Sequence, residues 1–315
     1  MPIKAKIHRS SKRVFDCKLD ETGEIVSATA LREIVKKMHP VVGDIVNLKV
    51  SESGQYEIMD VQERENSIFR RIVRTNKTKH VAANVDVILI VASVSKPDYK
   101  TFLVDRYLLR ATQWEIPVVV IFNKMDEFQD QFDLEFEELK LKSLGVTTFR
   151  VSSLETKDSE LNNNLAALRA LLKAKTAICL GQSGVGKSQL ITKLSDGHVE
   201  LLSSRLSKKV AKGAHTTSWS EIVELPDFQI IDSPGIRSLS IKDIDINELA
   251  DLFPDLRPYF NECQFSDCKH EHNSKGCAFL ALDEEKLENC IVIERLISYL
   301  KIRDEVESIP EWEKS

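Results

Sequence analysis

Residues 181–188 read GQSGVGKS, which places glycines, a lysine and a serine at the spacing G-x-x-x-x-G-K-S. Gly181, Gly184 and Gly186 allow close backbone approach. Together with Gln182, Ser183 and Val185 they form a loop whose successive N–H groups surround phosphate oxygens at a helix N-terminus. Lys187 would neutralise charge on the β- and γ-phosphates, and Ser188 would ligate Mg²⁺. The run DSPG follows at 232–235, where Asp232 holds the same ion through water and the Gly235 N–H senses the terminal phosphate. Between them KGAHTTS, at 212–218, offers Thr216 or Thr217 as a further magnesium ligand, with Thr217 the expected one. The residue after DSPG is Ile236, which cannot orient a water. His215 is the nearest group that could, and intrinsic hydrolysis is expected to be slow.

Residues 123–126 read NKMD. The Asp126 carboxylate would accept from guanine N1–H and N2–H₂, a donor pair that adenine lacks. Asn123 would bracket the base edge, and Lys124 would pack its stem along the ring. VSS at 151–153 supplies Ser152 and Ser153 after the next strand-like run. The order is unusual, because the base-reading tetrad precedes the phosphate loop. A doubly wound sheet permits this: its ligand loops all lie at the carboxyl ends of strands, so joining the old termini and opening new ones leaves the pocket intact.

A third group is CQFSDCKHEHNSKGC, which contains Cys263, Cys268, His270 and Cys277. Three thiolates and one imidazole suit a tetrahedral structural Zn²⁺ with no open position for catalysis. His272 competes with His270 for the fourth place. Cys17, Cys179 and Cys290 are scattered and expected to be small buried apolar residues.

The flanking patterns say what positions these residues. VDVILIVASV and IPVVVIF read as strands buried on both faces of a parallel sheet. FLVDRYLLRATQWE, DLEFEELKLKSLG and LNNNLAALRALLKAK have helical spacing. TAICL precedes the phosphate loop as a strand, SQLITKL follows it as a helix, and FQIID leads into DSPG. Strands alternating with helices predict a doubly wound α/β domain, assigned to residues 74–240. Residues 1–73 show short alternating stretches between turns, predicting an antiparallel barrel of OB type, with an SH3-like barrel nearly as compatible. Residues 241–315 are acidic and helical around the cysteine cluster.

The total of 315 residues fits this multidomain division. No apolar run approaches the length of a membrane span, and the N-terminus lacks a signal-like stretch, so a cytoplasmic protein is expected. The formal net charge is -5. Residues 1–80 hold 16 Lys+Arg against 11 Asp+Glu, giving +5, and the remainder hold 28 against 38, giving -10. Polyanion contact is therefore expected at the front end, where residues 64–80 carry six Lys/Arg in either a solvated linker or a phosphate-contacting strip.

The ordered set NKMD, VSS, GQSGVGKS, KGAHTTS and DSPG, preceded by ANVD and a barrel and followed by a Cys/His cluster, resembles the RsgA (YjeQ) family of circularly permuted GTPases along nearly the whole chain. The resemblance implies a GTPase that binds the 30S ribosomal subunit and 16S rRNA, is stimulated by the subunit and acts late in its maturation. It also implies GTP and GDP as ligands, Mg²⁺ with the nucleotide, one structural zinc, no membrane partner and a monomer. Two departures stand out. The family usually has arginine where this chain has Ala214, and one residue fewer between its histidine and last cysteine. A GTP-gated RNA-binding switch with negligible turnover is the alternative, and a phosphate-loop ATPase or kinase is a weaker one that NKMD disfavours.

Overall fold

A computed structural model describes residues 2–11, 13–72, 77–197, 220–232 and 241–310. The strand β8 (Val87–Ser93) shows why a sheet forms here: all seven residues are buried, and each of its large aliphatic side chains contributes roughly 1.5–3 kcal/mol. It pairs in parallel with β9 (Val118–Asn123) on one side and β11 (Thr176–Leu180) on the other. Outward from β9 lies β10 (Thr147–Arg150), also parallel. Outward from β11 lie β13 (Gln229–Asp232), parallel, and β12 (Ser220–Glu224), antiparallel to β13.

The resulting order β10-β9-β8-β11-β13-β12 accounts for the reversed motifs. The chain enters at β8 in the middle, runs to one edge at β10, and returns through α4 (Ser159–Leu172) to β11. The phosphate-loop strand thus lies beside β8, although β8 and β9 precede it. Helix α2 (Thr101–Trp114) covers one face through Val104, Tyr107, Leu108, Ala111 and Trp114, which recur at helical spacing. On the other face Leu168 and Leu172 of α4 meet Leu190 and Leu194 of α5 (Lys187–Leu194). Helix α3 (Leu134–Ser143) starts at Asp133, whose carboxylate accepts the Phe136 N–H at 2.9 Å.

Ahead of this sheet, β1 (Ile3–Ser10), β2 (Val14–Leu19), β3 (Ile25–Ala30), β4 (Ile45–Val50) and β5 (Tyr56–Val61) form a barrel in the order β1-β2-β3-β5-β4. It closes by β1 against β4, with β3 parallel to β5 and the short α1 (Arg32–Lys37) between β3 and β4. This is the OB-type arrangement rather than the SH3-like one. Its core holds Ile7, Phe15, Leu48 and Ile58, all fully buried.

The barrel is fused edge-on to the α/β sheet. Strand β1 pairs antiparallel with β12, with Arg9 opposite Glu221 and Ser10 opposite Ser220. Lys6 Nζ donates to Thr176 Oγ1 at 2.8 Å and Gln229 Oε1 at 3.0 Å, and Lys18 pairs with Glu224. A hairpin of β6 (Ser67–Ile72) and β7 (Lys77–Ala83) follows, and the expected boundary at 73/74 falls inside it. Ile68 and Ala82 of this hairpin belong to the core of the α/β sheet.

The basic strip is partly turned inward. Arg64 is half-buried with its side chain only 7% exposed, and its Nε and Nη2 donate to the Asp44 carboxylate at 2.7 and 2.8 Å. Arg71 pairs with Glu248 at 2.5 Å. Two of the strip's charges are therefore paired with carboxylates of the same chain.

The C-terminal part is less helical at its start than its spacing predicts. Ile246–Leu252 is a 3-10 turn, and helix resumes only at α6 (Arg257–Glu262), because Pro254 cannot continue a helix. The long α7 (Leu287–Ser308) then packs back on α2. Buried Arg295 of α7 donates to Asp105 at 2.6 Å and to Asp255 at 2.9 Å, and Ser298 also donates to Asp105. No described helix is long and apolar enough to cross a membrane.

Candidate nucleotide site and metal cluster

Three of the segments singled out in the sequence, NKMD, VSS and GQSGVGKS, meet past the carboxyl ends of β9, β10 and β11. The phosphate loop curls over the start of α5. Gly181 has φ +146°, and a Cβ there would stand 2.3 Å from the Val91 carbonyl oxygen of β8. Gly186 caps α5 at φ +94°, and a Cβ there would stand 2.4 Å from Asn123 Nδ2. Neither position admits a side chain. Lys187 Nζ crosses the loop to the carbonyls of Gly181 and Gln182 at 2.7 and 2.8 Å. The loop amides and the α5 N-terminus leave an electropositive cradle of the kind that holds polyphosphate. Ser188 lies in the first turn of α5, and Asp232 ends β13.

The base loop is braced from both sides. Asn123 is fully buried: its Nδ2 donates to the Val185 carbonyl at 2.8 Å, and its Oδ1 accepts from Ser153 N at 3.1 Å and Ser153 Oγ at 2.8 Å. All three loops are joined through this one side chain. Asp126 is exposed, and its Oδ1 accepts the Ser152 hydroxyl at 2.6 Å, which orients the carboxylate. Lys124 has φ +68° and donates from Nζ to the Lys96 carbonyl. No sequence motif marks Lys96, so that contact was not legible beforehand. His215, Thr217 and Gly235 lie outside the described residues, as do Thr216, Ala214 and Ile236.

At the other end of the chain Cys263, Cys268, His270 and Cys277 offer ligand atoms that all lie within 4.8 Å of one another. His270 Nδ1 stands 3.5 Å from Cys263 Sγ and 3.7 Å from Cys277 Sγ. A tetrahedron with Zn–S of about 2.3 Å and Zn–N of about 2.1 Å has S···N edges of about 3.6 Å, so the group has the dimensions of a zinc site. His272 is exposed and outside it. The segment between His270 and Cys277 contains a turn in which the Glu271 N–H donates to Ser274 Oγ and the Ser274 N–H to the Glu271 carbonyl.

The acidities of His270 and Cys268 suit a metal, whereas burial pushes the Cys263 thiol up to about 11. Burial lowers the His270 imidazole, with Arg303 adding to the effect, so the ring is neutral. Burial alone would raise the Cys268 thiol, but hydrogen bonds from the His270 backbone and from Cys277, Cys263 and Ser274 bring it below its ordinary value. By contrast, burial pushes Cys17 and Cys179 up to about 12, so neither is a reactive thiol.

A doubly wound sheet with a phosphate loop, a joined base-reading loop and an inverted chain order defines a circularly permuted GTPase. The RsgA GTPase family model matches residues 61–242, and the chain belongs to that family. A relative from Bacteroides fragilis named small ribosomal subunit biogenesis GTPase RsgA is 32% identical over 279 residues, covering 87% of this chain and 86% of its own. One of the same name from Azobacteroides pseudotrichonymphae is 29% identical over 317 residues, covering 97% of each. The crystal structure of YjeQ from Thermotoga maritima matches with a TM-score of 0.73 at 25% identity, covering 98% of this chain and 100% of that one. That of YloQ, described as a circularly permuted GTPase, matches with a TM-score of 0.69 at 22% identity, covering 99% and 97%.

Proposed function

We propose that this chain hydrolyses GTP to GDP and phosphate on the 30S ribosomal subunit during its late maturation, and that the subunit stimulates the reaction. The observation that carries the nucleotide half is the bond from Asn123 to Val185, which joins a guanine-reading loop to a phosphate loop. The ribosomal half is supported by the relatives' name, small ribosomal subunit biogenesis GTPase.

In this reading residues 181–188 hold the phosphates, with Lys187 on the β/γ charge. Ser188, Thr217 and Asp232 hold Mg²⁺, and the Gly235 N–H senses the γ-phosphate. Asp126 reads guanine, Lys124 lies on the purine, and Asn123, Ser152 and Ser153 hold these two in place. Cys263, Cys268, His270 and Cys277 hold one structural zinc. Residues 1–73 serve as an OB-like barrel that contacts 16S rRNA, 74–240 as the GTPase domain and 241–315 as the zinc domain. The protein works as a monomer in the cytoplasm, where ribosomal subunits mature.

Intrinsic turnover is slow, because Ile236 cannot orient a water and His215 must take that duty. Ile236 also favours a second reading, in which GTP gates RNA affinity without appreciable turnover. Co-sedimentation with 30S subunits tests the shared part of both. A non-hydrolysable GTP analogue should carry the protein into the 30S pellet and GDP should not. Equal pelleting with both, or none with either, contradicts the proposal.

A further inference from the structure

Residues 94–100 join β8 to α2 and lie between the two loops that would hold opposite ends of the nucleotide. On the base side the Val94 N–H donates to the Asn123 carbonyl at 3.1 Å, the Lys124 ammonium donates to the Lys96 carbonyl, and the Ser95 hydroxyl donates to the Glu127 carboxylate. On the phosphate side Pro97 Cδ stands 3.6 Å from where a Cβ on Gly184 would be. The far end of the segment is anchored. The hydroxyls of Tyr99 and Thr101 donate to Glu137 at 2.9 and 2.6 Å, and buried Lys140 pairs with the same carboxylate at 2.7 Å. The Tyr99 ring stacks on Phe132 at 4.3 Å between centroids.

The Lys124 backbone is left-handed, a conformation that disfavours any side chain, and its long stem would sample many rotamers if its ammonium had no fixed acceptor. The Lys96 carbonyl supplies that acceptor. The position of that carbonyl depends in turn on Ser95, the residue before it, which Glu127 holds. Glu127 directly follows Asp126, so the base loop ties the segment that orients its own lysine.

We infer that Glu127 and Ser95 are positioning residues for the guanine base, holding the Lys96 carbonyl where it fixes the Lys124 stem along the purine. The inference rests on the base-reading role proposed above for Lys124. Fixing the stem before binding lowers the ordering cost of binding, so the effect falls on nucleotide affinity. It falls equally on GDP and GTP, because both carry the same base and the segment does not reach the γ-phosphate through these contacts.

The test uses the full chain and fluorescent N-methylanthraniloyl-GDP, with unlabelled GDP and GTP as competitors and melting temperature measured alongside. Ser95→Ala and Glu127→Ala should each raise Kd about 3–10-fold through faster dissociation, the scale of losing one charge-assisted hydrogen bond. GDP and GTP should weaken by the same factor. Glu127→Gln keeps an acceptor oxygen for the Ser95 hydroxyl and should stay within about two-fold of wild type. The double variant should be no weaker than Ser95→Ala alone, because Ser95→Ala already breaks the bond that Glu127→Ala removes. Unchanged affinity in both alanine variants overturns the inference. So does a Glu127→Gln variant as weak as Glu127→Ala with an equal fall in melting temperature, which marks a role in the fold. Failure of the wild-type protein to bind the labelled GDP would instead overturn the guanine-site reading beneath it.

Discussion

The Asn123 side-chain amide donates to the Val185 carbonyl oxygen at 2.8 Å, although the two residues are 62 positions apart and belong to loops that follow different strands. The permuted chain thus assembles a single site. Removing the amide leaves a buried carbonyl and the Ser153 donors without their partner, a loss of about 1–3 kcal/mol. Asn123→Ala should therefore weaken GDP binding about 5- to 150-fold with the β9 core intact. Titration of labelled GDP checks this, and an unchanged Kd would remove Asn123 from the site.

Gly186 faces the same amide from the other side. An added Cβ would meet Nδ2 at 2.4 Å at a φ of +94°, so Gly186→Ala must move either the phosphate loop or the base loop. At about 1–3 kcal/mol of strain and contact, nucleotide affinity should fall by roughly fivefold or more. Calorimetric titration against GDP reads it directly.

The metal cluster is joined to a core, because Cys277 is buried among residues that include Leu256, Phe279 and Tyr299. Purified protein should carry about one equivalent of zinc, and binding of such a site is strong enough to contribute directly to folding. Stripping the metal with a chelator should lower the melting temperature and release helical signal from the C-terminal region. Less than about half an equivalent by elemental analysis would count against a zinc site.

His8 sits in the seam between the barrel and β12, nearly buried, with Nε2 3.8 Å from the Glu224 carboxylate. Burial lowers its pKa; Glu224 opposes this, and Lys18 and Lys6 reinforce it. A depressed histidine binds fewer protons folded than unfolded. Its stability contribution is thus fully present above about pH 6.5 and is lost as pH falls through the folded value. His8→Gln should flatten the stability profile between about pH 7 and 5, as measured by urea unfolding at each pH.

Strands β8, β9 and β11 were legible because they are apolar on both faces, as in VILIVAS of β8, and because Gly and Asp mark the loops at their ends. The OB-type closure was only half legible. Alternation identifies strands, whereas the pairing of β1 with β4 depends on long-range contacts that no local pattern encodes. Strand β12 was missed because SEIVE is short and polar, and it is held by the barrel strand beside it as well as by β13. The 3-10 turn at Ile246–Leu252 shows the reverse failure: apolar spacing suggested a helix that Pro254 stops. In the site, NKMD and GQSGVGKS were readable as motifs. The contacts of Lys124 with Lys96 and of Ser95 with Glu127 were not, since they join residues that carry no signature of their own.

The proposed function is GTP hydrolysis driven by the small ribosomal subunit. Its most direct test is GTP turnover by the full protein, with Mg²⁺, in the presence and absence of purified 30S subunits. Turnover should be slow alone and rise at least about tenfold with subunits, as expected when a partner completes a site that lacks its own water-positioning glutamine. A rate that stays the same with saturating subunits, or that proceeds equally with ATP, would contradict it.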